Sequence, residues 1–212
     1  MVWAICQRLN YGYFATMDVP DIARQVETVF FGLDQQIAAF QAATSLHCRW
    51  GCGKCCFKAD LEATVLEFLP FALYLHGNDQ AWTWLEKIRN EGSGLCPILN
   101  PTQPGAGLCS QYQHRGLICR LFGYSARLNK YREKELVTCT VIKTEQAEAF
   151  QRAEDQIEKE LAIPVMSDFY LQLHAIEPNL AREFLPIRQA IAAALEIVLH
   201  YFSYRESREG GI

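Results

Sequence analysis

The sequence predicts a mainly α-helical fold with a small β-hairpin, in which helices surround a metal centre built from cysteine-rich loops. Two flanking regions, 20–46 and 145–204, repeat apolar residues every three or four positions, which is the period of a helix with one buried face. The region between them, 47–139, is rich in cysteine, glycine and proline. Because no repeat or linker divides the chain, we expect a single domain over residues 1–212.

The composition is that of a folded protein, since 50% of the 212 residues are hydrophobic and 12% are aromatic. It excludes a disordered or low-complexity chain. The formal net charge is −4, but residues 47–139 hold 11 Lys+Arg against 8 Asp+Glu, whereas the remainder holds 9 against 16. This basic middle carries too little positive charge for a nucleic-acid-binding protein. It also lacks a nucleic-acid recognition motif.

The segments expected of an exported or membrane-spanning protein are not apparent. The first residues lack the basic and apolar pattern of a secretory signal, and no run of 18 uncharged apolar residues occurs. We therefore expect a cytoplasmic protein without a membrane span, in which thiols stay reduced.

The elements follow from local signals along the chain. Pro20 suits the first turn of helix 20–46, and a loop over 47–58 follows it. Residues 61–76 form a second helical segment that we expect Pro70 to perturb, and Asp79 is the expected N-cap of a short helix that ends near Arg89.

The second half begins with the Gly- and Pro-rich segment 92–119, which we expect to be mostly loop. A hairpin over 121–142 is predicted, with strands at 121–124 and 136–141. Helices are then predicted at 145–161, 166–176 and 186–204.

The chain has nine cysteines, of which Cys6 is isolated and suits packing in the core. The others cluster around the motif Cys48-x3-Cys52-x2-Cys55-Cys56, in which Gly51 and Gly53 permit a tight curl. Adjacent thiols such as Cys55 and Cys56 do not easily converge on one ion. Eight thiols match two four-ligand sites, one multinuclear cluster, or one site with spare thiols, and spacing does not choose among them. The candidate ligands are Cys48, Cys52, Cys55, Cys56, Cys96, Cys109, Cys119 and Cys139.

Clustered thiols suit either zinc or an iron–sulfur cluster. The separated CxxC pairs of ordinary zinc ribbons are lacking, which favours a clustered centre. His47 and His114 lie beside the ligand loops, and either would serve in place of a cysteine, although a hydrogen-bonded surface histidine is the commoner role. Five basic residues would balance thiolate charge or form ordinary surface charge: Arg49, Lys54, Lys58, Arg115 and Arg120.

Few other side chains suggest chemistry, and no catalytic residue is identified. Arg115 and Arg120 would bind an anion or pair with carboxylates. Glu67 would either support the metal ligands as a neighbouring group or be a half-exposed helix residue, which is the commoner role, and Tyr112 is expected to be a packing residue. The triplet Cys48-x3-Cys52-x2-Cys55 has the spacing of radical SAM enzymes, but the chain lacks the strand–helix repeats of their barrel.

The wider pattern resembles the YkgJ-type cysteine-cluster family, described as zinc- or iron-chelating proteins. Besides the motif of residues 48–56, the matching residues are those around Cys96, Cys109 and Cys119, so that the resemblance covers residues 47–125. It departs at Gly116, where the family has proline. The family is also similar to the cysteine-rich part of flagellin lysine N-methylases, which implies iron–sulfur chemistry coupled to protein modification.

Three functions remain from the sequence. The first is a metal-binding protein that holds iron, as an iron–sulfur cluster, or zinc, and exchanges electrons with a protein redox partner. The second is a structural zinc protein that acts as an interaction module. The third is an iron–sulfur-dependent enzyme that modifies a protein, for which the chain shows no glycine-rich nucleotide loop.

Overall fold

The computed structural model describes residues 17–91, 94–103 and 106–209, and within them the fold is mainly helical, as predicted. The predicted packing residue Cys6 lies outside the described residues. The α-helices are α1 (Val19–Thr44), α2 (Leu69–Gly77), α3 (Ala81–Asn90), α4 (Leu117–Leu121), α5 (Thr140–Glu145), α6 (Ala147–Glu158), α7 (Met166–Ile176), α8 (Pro178–Ala181) and α9 (Ile187–Glu209). Short 3-10 helices cover Lys54–Phe57, Leu66–Phe68 and Tyr112–His114.

The strands of the described residues form three antiparallel pairs. Strand β1 (Glu62–Ala63) pairs with β6 (Leu185–Pro186). Strand β2 (Leu99–Gln103) pairs with β3 (Ala106–Cys109), and β4 (Ser125–Leu128) pairs with β5 (Lys134–Val137). The last pair is a hairpin within the predicted segment 121–142, but its second strand ends at Val137 because Thr140–Glu145 is helical, whereas the prediction ran to residue 141.

Helix α1 begins and ends with recognisable caps. The Asp18 side chain accepts a hydrogen bond from the backbone amide of Asp21, and Pro20 lies in the first turn, where no amide partner is needed. The helix ends at Ser45, which adopts a left-handed backbone conformation with φ 60°. Its buried face consists of Val19, Ile22, Ala23, Val26, Phe30, Leu33, Ile37, Phe40 and Thr44.

Two hydrophobic clusters form the interior. The larger one, here called the main core, gathers side chains from α1, α2, α3, α7 and α9. The smaller one, the second core, consists of Phe40, Leu46, Ala126, Leu136, Ile142, Ala153, Ile157 and Ile163. Helix α1 contributes to both cores, so it sets the position of one relative to the other.

Three local predictions were wrong. Residues 61–76 do not form one helical segment, because Glu62–Ala63 is a strand and α2 begins only at Leu69, with Pro70 in its first turn, where proline is tolerated. Asp79 has a left-handed backbone with φ 57° and is not the N-cap, which is Gln80. The first hairpin strand begins at Ser125, because residues 117–121 are helical and Gly123 turns the chain with φ 103°.

Membrane-spanning helices were not expected, and the described part of the chain contains no helix that is both long enough and apolar enough to cross a bilayer.

The orientation of α1 can be tested with two neighbouring phenylalanines. Phe30 is 5% exposed in the main core and Phe31 is 66% exposed. We expect Phe30→Ala to lower the free energy of unfolding by about 3–5 kcal/mol, because it leaves a cavity. The matched change Phe31→Ala should alter it by no more than about 0.5 kcal/mol in the same urea titration. An equal loss in the free energy of unfolding of the two variants would mean that α1 buries another face.

Candidate metal centre

The cysteine loop begins with a clamp to helix α5. The backbone amide of His47 donates to Oε1 of Gln146 at 3.1 Å, and Nε2 of Gln146 donates to the His47 carbonyl at 2.6 Å. Arg49 forms an ion pair with Glu145 at 3.2 Å. These contacts hold the chain in place on either side of Cys48.

The middle of the loop lies directly on strand β3. Gly53 has a left-handed φ of 55°, and a Cβ atom at this position would lie 2.5 Å from the carbonyl oxygen of Gly107. Only a residue without a side chain permits this approach. Because the 3-10 helix Lys54–Phe57 follows immediately, the contact places Cys55 and Cys56 beside the β2–β3 hairpin.

The base of that hairpin carries two further thiols. The amide of Leu99 donates to the Cys96 carbonyl at 3.1 Å, and Leu99 is the cross-strand partner of Cys109. Ser110 closes the same end, because its amide donates to the Ile98 carbonyl at 2.9 Å. Cys96 and Cys109 are thus held close to each other although 12 residues separate them in the chain.

A buried carboxylate anchors the segment that carries Cys119. Oε2 of Glu67 accepts a hydrogen bond from the amide of Ile118 at 2.8 Å, and Oε1 accepts from the Thr64 amide at 2.8 Å and from its hydroxyl at 3.1 Å. Burial raises the pKa of Glu67 to about 7, against the effect of these hydrogen bonds.

The prediction that Glu67 is half exposed was wrong, since its side chain is fully enclosed. A signal was present in the sequence. The two residues on either side of Glu67, from Val65 to Leu69, are all apolar, so that a charged residue among them lies within a buried run.

Cys139 joins the other thiols from the segment between β5 and α5. It is the N-cap of α5, and its sulfur accepts a hydrogen bond from the Ile142 amide at 3.4 Å. Its side chain packs on the second core, next to Tyr124. Burial, followed by proximity to Cys48, raises the pKa of Tyr124 to about 12, and Cys139 contributes further, so both thiols lie near the tyrosine hydroxyl.

The thiols meet around one cavity of about 150 Å³. The cysteines that line it are Cys48, Cys52, Cys55, Cys56, Cys119 and Cys139, while Cys96 and Cys109 lie behind them at the hairpin base. All eight described cysteines are free thiols. The structure therefore brings the predicted ligands together, although their role as ligands stays a prediction.

One pair of sulfur atoms has nearly the spacing of two ligands in a metal site. Sγ of Cys55 and Sγ of Cys56 are 4.0 Å apart, and a tetrahedral zinc site with bonds of about 2.3 Å needs sulfurs about 3.8 Å apart. Among the residues that the structure describes, no three His, Cys, Asp or Glu side chains already stand in metal-binding positions. The remaining thiols must rotate towards an ion to bind it.

Burial and mutual proximity keep these thiols protonated. Burial raises the pKa of Cys48 to about 11, with Cys52, Cys55 and Cys139 adding to the effect. The hydrogen bond with Cys56 raises the pKa of Cys55, and burial raises that of Cys119. A bound metal would replace these protons, so binding should release protons and strengthen as the pH rises.

Basic side chains line the cavity. Lys54, Lys58, Arg115 and Arg120 all contribute to its wall, and no Asp or Glu among the residues that the structure describes does so. Compensation of thiolate charge stays a prediction for Lys54 and Lys58, because Arg115 and Arg120 have Asp34 as a carboxylate partner. Arg49 also has a carboxylate partner, Glu145.

The two arginines are positioned by their own partners. Arg120 forms an ion pair with Asp34 and donates to the carbonyls of Gln113 at 2.7 Å and Arg115 at 3.1 Å. Arg115 lies 3.8 Å from Asp34 and its guanidinium stacks on the ring of Tyr112 at 3.9 Å. Of the two predicted roles, pairing with a carboxylate is therefore the one observed. Tyr112 itself is 62% exposed, so the prediction of a packing residue was wrong.

Neither histidine lies in the cavity wall. Nδ1 of His47 is 3.1 Å from the Ser45 carbonyl, and the side chain is exposed. The His114 ring stacks on Tyr74 with ring centroids 3.9 Å apart, and burial lowers its pKa. The thiols are thus the donors that the centre presents, and soft sulfur donors fit zinc and iron.

The helical scaffold and the thiol cavity define a metal-chelating protein. Residues 47–155 match the CxxCxxCC family, whose description reads "putative zinc- or iron-chelating domain". The match spans more than half of the chain, and the protein belongs to this family. Comparison with curated proteins and with solved structures finds no match.

The contact between the loop and the hairpin can be tested at two glycines with positive φ. Gly51→Ala should cost about 1–2 kcal/mol of stability and retain metal, because its added Cβ meets only a leucine side chain 4.0 Å away. Gly53→Ala has the same backbone strain and also collides with β3, so we expect it to lose metal. Metal content and urea unfolding of both variants check this. Retention of metal by Gly53→Ala would show that the contact does not hold the centre.

The anchor of α4 can be tested by Glu67→Gln. The variant cannot accept from both Thr64 and Ile118 through its two terminal atoms, so we expect unfolding to become easier by about 1–3 kcal/mol. Metal content should fall too, because Cys119 follows the released amide. The exposed Glu62→Gln is the matched control and should match the parent within about 0.5 kcal/mol. Unchanged stability and metal content in the Glu67→Gln variant would show that Glu67 does not anchor α4.

Proposed function

We propose that the protein binds iron through its clustered thiols, as an iron–sulfur cluster, and acts as a redox protein. The observation that carries this proposal is the convergence of thiols from separate segments on one cavity, to whose wall the described part of the chain contributes cations and no carboxylate. Thiolates suit both iron and zinc, but closely spaced cysteines around a common centre are typical of iron–sulfur ligation. When bound, such a cluster accepts one electron from a reduced carrier protein and gives it to an oxidised one.

The charges around the cavity support electron uptake. Lys54 and Lys58 are exposed at its wall, and no ion pair of either lysine is seen among the described residues. Their positive charge lies where thiolate ligation and an added electron would both place negative charge. Such neighbours stabilise the reduced state of a centre and so raise its reduction potential.

The centre is accessible to a protein partner. The side chains of Cys48 and Cys55 are exposed at the cavity, and Trp50 between them in sequence is 89% exposed. A large apolar side chain so close to the ligands supports a docking surface for the carrier protein at this edge. A reducing compartment, the cytoplasm, suits a centre that requires free thiols.

A structural zinc site is the second candidate, and one observation favours it. Cys96 belongs to the main core whereas Cys139 packs on the second core, so a metal held between thiols of both groups would tie the cores together. Stabilising a small fold in this way is the usual role of tetrahedral zinc with four thiolates. In that case the function would lie on the surface as an interaction module.

Metal and sulfide analysis separates the two candidates. We expect protein purified without oxygen to contain iron and acid-labile sulfide in similar amounts, with visible absorption that bleaches on reduction by dithionite. Zinc without iron or sulfide would overturn the iron–sulfur proposal and support the structural site. Iron without sulfide would exclude a cluster.

A further inference from the structure

We propose that the outer edge of strand β5 is a docking site for a partner protein that presents an extended segment rich in lysine or arginine. The segment adds a third strand to the β4–β5 hairpin, alongside helix α6. This inference goes beyond the proposed function and does not depend on which metal the thiols bind.

The pairing of the hairpin leaves backbone groups of β5 free for another strand. The amide of Ala126 on β4 donates to the Pro164 carbonyl at 2.8 Å, on the side of β4 that faces away from β5. Ala126 is the cross-strand partner of Leu136, so the amide and carbonyl of Leu136 point away from β4 as well. Lys134 has the same orientation, because it lies two residues earlier in the strand.

The outer edge of β5 has no strand partner in the described part of the chain. Strands β4 and β5 form a sheet of two strands, and no backbone hydrogen bond to the outward groups of Lys134 or Leu136 is found among the described residues. Each of these residues therefore offers one donor and one acceptor. An unpaired edge of this kind is a template for strand addition, in which main-chain hydrogen bonds supply affinity.

A groove, here called the edge groove, lies beside this edge. Its volume is about 620 Å³, against about 150 Å³ for the thiol cavity. Consecutive residues of β5, from Lys134 to Leu136, contribute to one wall, and α6 contributes side chains between Gln151 and Glu158 to the other. The buried side chains of Leu136 and Ile157, which belong to the second core, give the edge groove an apolar floor.

The charge of the edge groove favours a basic segment. Its lining contains five carboxylates against two cations, Arg132 and Lys134. Glu135 is neutralised by Arg127 at 2.9 Å, whereas no ion pair of the other four glutamates is found among the described residues. The five carboxylates are those of Glu133, Glu135, Glu154, Glu158 and Glu160.

Lysine and arginine suit both features of this lining. Their methylene chains pack on the apolar floor while their charged ends reach the glutamates. Because every second side chain of a strand points to the same face, basic residues at alternate positions of the segment face α6. A second copy of this chain is a poor occupant, since its own edge groove has the same negative charge and the two would repel each other.

The hairpin connects the edge groove to the thiols. Tyr124 directly precedes β4, Cys139 follows β5 by two residues, and both line the thiol cavity. A partner bound along β5 thus contacts a strand that continues into the wall of the metal centre.

Amide exchange with a model peptide tests the strand pairing. The probe is a short peptide of alternating lysine and valine, added to the full-length protein as purified. In the free protein we expect the amides of Lys134 and Leu136 to exchange faster than that of Glu135, which is paired with β4. The peptide should slow both by at least about tenfold, because a new hydrogen bond must open before exchange.

Two results of this experiment would overturn the proposal. Slow exchange of Lys134 and Leu136 in the free protein would show that a second copy or another segment of this chain already covers the edge. Unchanged exchange at saturating peptide would show that the peptide does not pair with β5.

Two control peptides test the chemistry of the segment by fluorescence anisotropy. The first has methylated backbone amides, which removes the donors that an added strand needs. The second alternates glutamate with valine and so has the wrong charge. We expect neither to bind, and equal binding of either one would contradict the assignment.

A proline variant tests the edge itself. Lys134→Pro removes one outward donor and places a ring in the edge groove, and proline is tolerated where the amide faces away from the sheet. We expect the affinity for the lysine–valine peptide to fall by at least about tenfold. Lys134→Ala is the matched control and should bind at least as tightly as the parent, because it removes a cation. Equal affinities of the two variants would exclude docking on this edge.

A charge variant tests the groove without touching the strand. Glu158→Gln should weaken peptide binding by about two- to fivefold. Glu148→Gln, on the same helix but outside the edge groove, should leave it unchanged. Equal binding of these two variants would overturn the basic-segment assignment even if Lys134→Pro failed to fold. All four variants that fold should keep the parent's metal content, so this proposal and the iron–sulfur proposal fail separately.

Discussion

The centre depends on the close approach of two backbones that have no side chain between them. Gly53 meets the carbonyl of Gly107 so closely that a methyl group would not fit, and this contact seats the cysteine loop on the β2–β3 hairpin. A similar approach occurs at Gly116, where a Cβ would lie 2.8 Å from the ring of Phe68. The residue at which the chain departs from the family pattern is thus one at which the packing leaves no space for a side chain.

Electrostatics keeps these thiols neutral when no metal is bound. Burial and mutual contact raise the pKa of Cys48, Cys55 and Cys119, so that sulfur without metal carries little negative charge at neutral pH. A metal converts thiols to thiolates and makes the site anionic. Lys54 and Lys58 at the cavity wall would then stabilise the metal-bound form, whereas Arg115 and Arg120 already have Asp34 as a carboxylate partner.

The partners of charged residues were the least predictable part of the site. Arg120 is held by Asp34, which lies 86 residues earlier on α1, and nothing local in the sequence connects the two. His114 lies between ligand segments in the sequence, yet its ring turns away to stack on Tyr74. Glu67 stands in an apolar run that indicates burial, but its partner at Ile118 is set by the docking of α4.

The sequence by itself determined the helical class, the presence of a small hairpin and the set of cysteines, because periodicity, turn residues and thiol spacing are local properties. It could not decide between one cluster and two sites, since spacing along the chain does not say which hydrophobic core a sulfur faces. The folded chain shows which core each sulfur faces: Cys96 belongs to the main core, Cys56 packs against that core, and Cys139 packs on the second core. Grouping in space arises from burial of apolar side chains far away in sequence, so only the folded chain contains that information.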